Sequence, residues 1–361
     1  MNRREFARQT GLAAAGMALA GADAFGGVPD DDRWRRFEIT TAVEVLRPAG
    51  RTRVWLPTPL VDAPYQRTSG DTYRADGGFV EMLERPAESL DMIVAEWPDG
   101  VAPLLTLTSR VATRDHAVDL VTPSVPPPLD MQPLERYLRP TRLIPTDGIV
   151  KATADRVTKD AGTDIERARA IYDWVVDNTF RDPKVVGCGT GDVRGMLEAG
   201  LLGGKCADIN LLFVGLARAS GIPARGVAGL RIAPSRSGAS SLGLSSSDAT
   251  RGQHCRAEIY LTGFGWVPAD PADVAKVVLE EPPGHLRLGD EKPRAARTRL
   301  FGSWEMNWIA FNYAHDVVLP GARRGAIHYF MYPQAETADG RIDSFDPDAF
   351  HYDIAVRELT D

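Results

Sequence analysis

Three residues in chain order have types suited to acyl transfer. Cys206 follows Gly203-Gly204-Lys205 and opens an apolar run that continues to Ala219. A thiol attacks a carbonyl as its thiolate. Unpaired N–H groups and the positive end of the dipole at a helix start, with Lys205 adjacent, favour that form. The glycines are read as letting another backbone or a substrate approach the sulfur. Taken alone, Cys206 also fits a buried structural thiol on a core helix, the commoner fate of a cysteine. His254 lies in a run where His254, Arg256, Glu258 and Tyr260 alternate with Cys255, Ala257, Ile259 and Leu261. The second set is the core face of a strand, so His254 is expected to point away from the bulk core. Asp270 ends Trp266-Val267-Pro268-Ala269-Asp270-Pro271, after a Thr262-Gly263-Phe264 turn. An Asp before Pro is by itself a turn residue, but a hairpin of this length brings positions 254 and 270 to neighbouring strands. An imidazole can take the thiol proton and return it to a leaving amine, and a carboxylate fixes the imidazole tautomer. Cys206, His254 and Asp270 together make a workable triad.

The elements that must hold this triad follow from periodicity. Thr163-Asp164-Ile165-Glu166 is a capping box, and Ile165, Ala168, Ile171, Tyr172 and Val175 recur at helical spacing, which predicts a helix from about 164 to 178. A second helix is expected from Cys206 to Ala219, ended by Gly221 and Pro223. Strands are expected at 224–232, 253–261 and 265–268. The run 234–252, rich in Ser and Gly, is expected as a flexible loop that covers the site or is a tolerated insertion. Helices first and antiparallel strands after is an α+β plan.

At these segments the sequence resembles the transglutaminase-like superfamily. The resemblance rests on Gly204-Lys205-Cys206-Ala207-Asp208, Arg218-Ala219-Ser220-Gly221-Ile222-Pro223-Ala224-Arg225, His254 with Glu258 and Tyr260, and Gly265-Trp266-Val267-Pro268-Ala269-Asp270-Pro271. It covers roughly 160 to 275. It implies a papain-like core, with Cys206 as nucleophile, His254 as base and Asp270 as the orienting acid. Cys255-Arg256 departs from the small residue and Trp that often follow the His in that family. The implied activity is a cysteine hydrolase or amidase acting on peptide or protein amides through a thioester at Cys206. Amine-accepting transglutamination and a non-catalytic binding or assembly module are the alternatives.

Upstream, the pattern is different. Phe37, Ile39, Thr41, Val43 and Val45 alternate with Glu38, Thr40 and Glu44, and strand-like runs recur at 53–56, 78–83 and 105–113. These predict a small antiparallel β-sandwich over 33–120 preceding the core. A Pro-rich linker over 121–135 separates it from a catalytic domain over 136–290. Residues 291–361 form an extension with Trp304, Trp308, Phe311, Tyr313, Tyr329, Phe330 and Tyr332, expected to pack on the core.

The N-terminus reads Asn2-Arg3-Arg4-Glu5-Phe6 before an Ala-rich run, with small-x-small sites at 18–20 and 22–24. This predicts a twin-arginine signal over 1–24 and export of the folded chain to the periplasm or beyond. The chain of 361 residues has net charge -7. It lacks the basic footprint of a nucleic-acid or anionic-lipid binder, so a peptide, protein or small-molecule substrate is expected, a peptide or protein once the resemblance is added, and no stable membrane anchor. There is no acidic run of calcium-site type and no His-Glu-x-x-His, so neither a metal nor a cofactor is expected. Three cysteines, Cys188, Cys206 and Cys255, leave at least one thiol outside any intramolecular disulfide. Cys188 and Cys255 are the pair that could bridge, with a reduced, buried Cys255 as the alternative.

Overall fold

The computed structural model describes residues 34–126, 128 and 130–360. The twin-arginine segment lies outside the described residues. Strand β1 (Arg35–Val45) buries Phe37, Ile39, Val43 and Val45 and exposes Ala42 and Glu44, the alternation its sequence dictates. It is followed by β2 (Thr52–Pro57), β3 (Gln66–Asp76), β4 (Phe79–Arg85), β5 (Leu90–Trp97) and β6 (Leu104–Thr113). Two of these escape a search for alternation, for opposite reasons. β3 is polar and interrupted by Gly70, where its register against β6 shifts. β5 is buried on both faces from Met92 to Ala95, so its sequence is a continuous apolar run.

The helical layer comes next: α1 (Gly148–Val157), α2 (Asp164–Asn178) and α3 (Cys206–Ala219). Thr163 caps α2, with Glu166 N–H donating to Thr163 Oγ1 at 3.3 Å and Thr163 N–H to Glu166 Oε2 at 2.9 Å. Every residue of α3 is buried. It ends where Gly221 takes φ +81, a conformation that disfavours a side chain. α3 packs on α1 and α2 and against β7 (Ala224–Arg231) and β8 (Arg256–Leu261). The hairpin to β9 (Gly265–Ala269) leads into α4 (Pro271–Glu280), and later β10 (Trp308–Asn312) joins β7. The result is an antiparallel sheet in the order β9-β8-β7-β10 with α3 against it.

The other face of that sheet is not solvated. Arg225 and Glu258 pair at 2.6 Å with side chains 11% and 1% exposed, and the Arg225 guanidinium lies 3.9 Å from the Trp266 ring centre and 3.6 Å from that of Tyr313. The polar face of β8 is thus a buried, ion-paired layer. His254, expected to point away from the core, is itself only 4% exposed.

The chain ends in β11 (Gln334–Thr337), β12 (Gly340–Ile342) and β13 (Phe350–Leu359). β13 pairs with β1, and β11 pairs with β2. The strands sort into one sheet, β13-β1-β6-β3 with the short Asp62–Ala63 at its edge, and a second, β12-β11-β2-β5-β4. Val43, Val54, Leu56, Ile93, Trp97, Leu107 and Phe350 form one buried cluster that draws on strands of both sheets. Each fully buried aliphatic or aromatic side chain there contributes about 1.5–3 kcal/mol. Strands from 35–113 and from 334–359, far apart in sequence, therefore share the same two sheets.

Candidate active site

Cys206 is placed by contacts on both sides of the helix start. Gly203–Gly204 pairs in parallel with Phe180–Arg181. The Asp208 carboxylate accepts the N–H groups of Lys205, Thr190 and Gly191, each at 2.9 Å. Ala207 N–H donates to the Cys188 carbonyl at 2.9 Å. The loop carrying Cys188 is thereby fixed against the first turn of α3. A Cβ at Gly204 would lie 2.4 Å from Asp208 Cβ, and one at Gly203 2.3 Å from Phe180 Cζ. The space the glycines leave is taken by Asp208 and Phe180, not kept for a substrate.

His254 is held through its backbone. Its N–H donates to Gly229 O at 3.0 Å, and its carbonyl accepts Trp308 Nε1–H at 2.8 Å. Its Nε2 meets Asp270 Oδ2 at 2.8 Å, which leaves Nδ1 for the side of the Cys206 thiol, whose ionisation His254 favours. Asp270 caps α4 ahead of Pro271, its Oδ1 accepting Asp273 N–H at 3.1 Å. The three residues singled out in the sequence thus lie together.

Several neighbours had no sequence signal of comparable strength. Asn210 Nδ2 donates to Asp270 Oδ1 at 3.0 Å and to Cys255 O at 2.8 Å. Its four-residue spacing from Cys206 puts the two on one helix face, and that spacing could have flagged it. Asp273 Oδ1 lies 3.4 Å from His254 Nε2 and 2.5 Å from Arg231 Nη2. Arg256 Nε is 3.5 Å from Asp270 Oδ2, with its guanidinium 4.7 Å from the Trp308 ring centre. Arg256, part of the Cys255-Arg256 departure from the family pattern, thus lies against the Asp270 carboxylate.

The electrostatics favour an ion pair. Burial raises the Cys206 pKa, but hydrogen bonds from Cys188, Cys255 and His254 and the charge of His254 bring it well below an ordinary thiol. Burial and Arg231 push His254 down, while Asp273, Asp270 and the hydrogen bond to Asp270 outweigh them and raise it. The hydrogen bond to Cys206 and burial raise the Cys188 thiol, and burial and Cys206 raise Cys255. Both stay protonated and can donate to the Cys206 thiolate. All three cysteines are free.

His254, Asp270 and Asp273 bring one ligand atom each within 4.8 Å of one another. Arg231 and Arg256 already supply the positive charge these carboxylates need, so the donor set is satisfied as a hydrogen-bonded network.

A cleft of about 980 Å³ opens over the thiol, with Cys206, Cys188, His254, Lys205 and Tyr332 in its lining. Tyr332 hydroxyl donates to Cys188 Sγ at 3.1 Å; Trp304, Trp308 and Phe330 are buried in packing. The 234–252 loop contributes Leu244, Asp248 and Arg251 to the lining. It is not free chain. Ala239, Leu242 and Ala249 are buried, Ser235 bonds Glu305 at 2.7 Å, Ser241 N–H bonds Glu281 at 2.8 Å, and Asn307 Nδ2 donates to Leu242 O at 3.0 Å. Its partners lie outside the loop, where local composition cannot register them.

Residues 151–271 match the model of the transglutaminase-like superfamily. An uncharacterized protein of Haemophilus influenzae is 37% identical over 341 residues, covering 90% of this chain and 91% of its own. A solved structure described as a candidate cysteine protease from Cytophaga hutchinsonii has TM-score 0.51 at 15% identity, over 90% of this chain and 98% of that one. The periplasmic domain of TgpA from Pseudomonas aeruginosa is similar at TM-score 0.36 and 16% identity, over 66% of this chain and 89% of its own. The chain belongs to the transglutaminase-like superfamily.

Proposed function

We propose that the protein is a cysteine-dependent hydrolase of peptide or protein amides, with Cys206 as nucleophile, His254 as acid and base, and Asp270 orienting His254. The observation that carries this reading is the pairing of a lowered Cys206 with a raised His254, itself bonded to Asp270 at 2.8 Å. The thiolate attacks the amide carbon, and the carbonyl π electrons move to oxygen, where the backbone N–H of Cys206 at the start of α3 is the first donor available. Collapse breaks the C–N bond as the imidazolium gives its proton to the departing nitrogen. Water then attacks the thioester while His254 takes its proton, and the acid leaves from sulfur. An amine in place of water gives transglutamination by the same first half-reaction. The proposed setting is the periplasm, reached by the twin-arginine segment, with 33–120 as the main part of a β domain whose sheets β11, β12 and β13 complete, and 136–290 as the main part of a catalytic one whose sheet β10 completes.

The test is a panel of Gln-containing and short peptides, assayed with and without a primary amine and with intact-mass analysis of the protein. An acyl adduct on Cys206, absent in Cys206→Ala, is expected, with water as the main acceptor. Full turnover by Cys206→Ala ends the cysteine mechanism. Adduct transfer chiefly to the amine makes the protein a transglutaminase, and no adduct across the panel favours a binding module.

A further inference from the structure

The cleft is cationic on its inner wall, although the chain as a whole is acidic. Arg181, Lys205 and Lys276 line it together with Cys206. Arg181 and Lys276 are sunk into the wall, with side chains 17% and 16% exposed, and they share a single carboxylate, Glu280. Lys205 has no ion pair among the described residues. The other cation at depth, Arg231, is matched by Asp273. The lining acids, Asp248 and Asp353, are exposed, and Asp353 is paired with His351 at 2.8 Å. Burial and the charges of Arg181 and Arg231 work against the Lys276 ammonium, and Arg181 is close enough to draw on the Cys188 thiol. The Cys206 thiolate does not supply the missing anion, because the His254 imidazolium balances it. Two half-buried cations sharing one acid, beside a third with none, are costly unless an anion joins them.

We propose that the substrate presents a carboxylate to Arg181, Lys205 and Lys276, within a few bonds of the amide that Cys206 attacks. This rests on the amidase reading and narrows its substrate to acidic peptides. The carboxylate comes either from an acidic side chain or from a free peptide C-terminus; both offer the same two oxygens to the cations.

The first measurement needs no amide cleavage. Cys206 is alkylated with iodoacetate and, separately, with neutral iodoacetamide, and modification of that peptide is followed by mass spectrometry. The iodoacetate-to-iodoacetamide rate ratio is expected to fall about tenfold in Arg181→Gln/Lys276→Met, the factor that ~1.4 kcal/mol makes. It should fall also in Lys205→Met, which leaves no acid orphaned, and in wild type as salt rises from about 0.01 to about 0.15 M. A ratio unmoved by both variants and by salt overturns the cation site, whatever the enzyme cleaves. The second measurement compares peptides with Glu or Gln beside the scissile amide, and with a C-terminal acid or amide, in wild type and Lys205→Met. Higher kcat/KM for one acidic form, lost in the variant, supports the proposal and identifies the source. Equal cleavage of charged and neutral forms overturns it while leaving the amidase intact.

Discussion

Asn210 Nδ2 donates to Asp270 Oδ1 at 3.0 Å, so the helix that begins with Cys206 also holds the carboxylate that bonds His254. The same amide donates to Cys255 O at 2.8 Å and accepts Ala272 N–H at 3.1 Å. One side chain therefore fixes the spacing of α3, the residue that follows His254 just before β8, and the start of α4. In Asn210→Ala, Asp270 keeps its bond to His254 but can rotate. The expected result is a fall in kcat of about tenfold, equivalent to ~1.4 kcal/mol, with KM nearly unchanged. Stability should drop by about 1–3 kcal/mol from the orphaned buried groups. A stability loss with kcat intact would make Asn210 purely structural.

The opposite shifts of Cys206 and His254 define a pH window. As pH falls, activity is lost when the thiolate is protonated, and because Cys206 is lowered this limb lies below the ordinary thiol value of ~8.5. As pH rises, activity is lost when His254 gives up its proton, and because His254 is raised that limb lies above ~6.5. The profile of kcat/KM should be a plateau bounded on both sides, and iodoacetamide labelling of Cys206 should follow the acid limb. In His254→Ala the labelling limb should move up toward the ordinary thiol. Labelling that rises only near pH ~8.5 in wild type would exclude a resident thiolate.

Asp273 and Arg231 form a buried pair, with side chains 2% and 7% exposed. Burial raises the Asp273 carboxyl, but Arg231, His254 and Arg256 hold it far below the usual range. Its folded pKa is depressed, so its contribution to stability is present above about pH 3.9 and is lost as pH falls through the folded value. Asp273→Asn should destabilise by about 3–5 kcal/mol, because Arg231 stays buried and charged. Arg231→Met/Asp273→Leu should be the milder change in denaturant melts. The Asn variant should also bring the alkaline activity limb down, since one of the charges that raises His254 is gone.

The bounds of α2 and α3 are legible because each carries its own signals: the Thr163 capping box, the apolar periodicity, and the Gly221 stop. The grouping of Cys206, His254 and Asp270 was legible for a similar reason, as Cys206 marks a helix start, and His254 and Asp270 flank one short hairpin. What could not be read is set by contacts between distant segments. The buried polar face of β8 depends on Tyr313 and Trp308, and the completion of both sandwich sheets depends on β11 and β13, more than 200 residues after the strands they join. Local alternation carries no information about such partners.

The 234–252 loop offers a direct check on that point. Asn307 is buried and donates Nδ2 to Ala233 O at 3.3 Å and to Leu242 O at 3.0 Å. Asn307→Ala should release this anchor, and hydrogen exchange at Leu242 and Leu244 should quicken by about tenfold while the exchange of α3 is unchanged. Exchange in wild type as fast as that of an unstructured chain would show the anchor has no hold on the loop.

Cys188 is the neighbour whose role separates most cleanly from packing. Its sulfur can donate to Gln253 O at 3.4 Å or to Cys206, and the Tyr332 hydroxyl donates to it at 3.1 Å. Donation from Tyr332 makes the Cys188 S–H a better donor, and once Cys206 is ionised the charge favours the thiolate over the neutral carbonyl as its acceptor. Cys188→Ala removes this donor, so the Cys206 labelling limb should move up in pH by about one unit, equivalent to ~1.4 kcal/mol. Cys188→Ser returns an O–H at the same position and should recover most of the shift. A merely structural Cys188 would lower the melting temperature in both variants and leave the limb where it is. A limb that moves in Ala and returns in Ser, at similar stability, makes Cys188 the group that positions and sustains the thiolate.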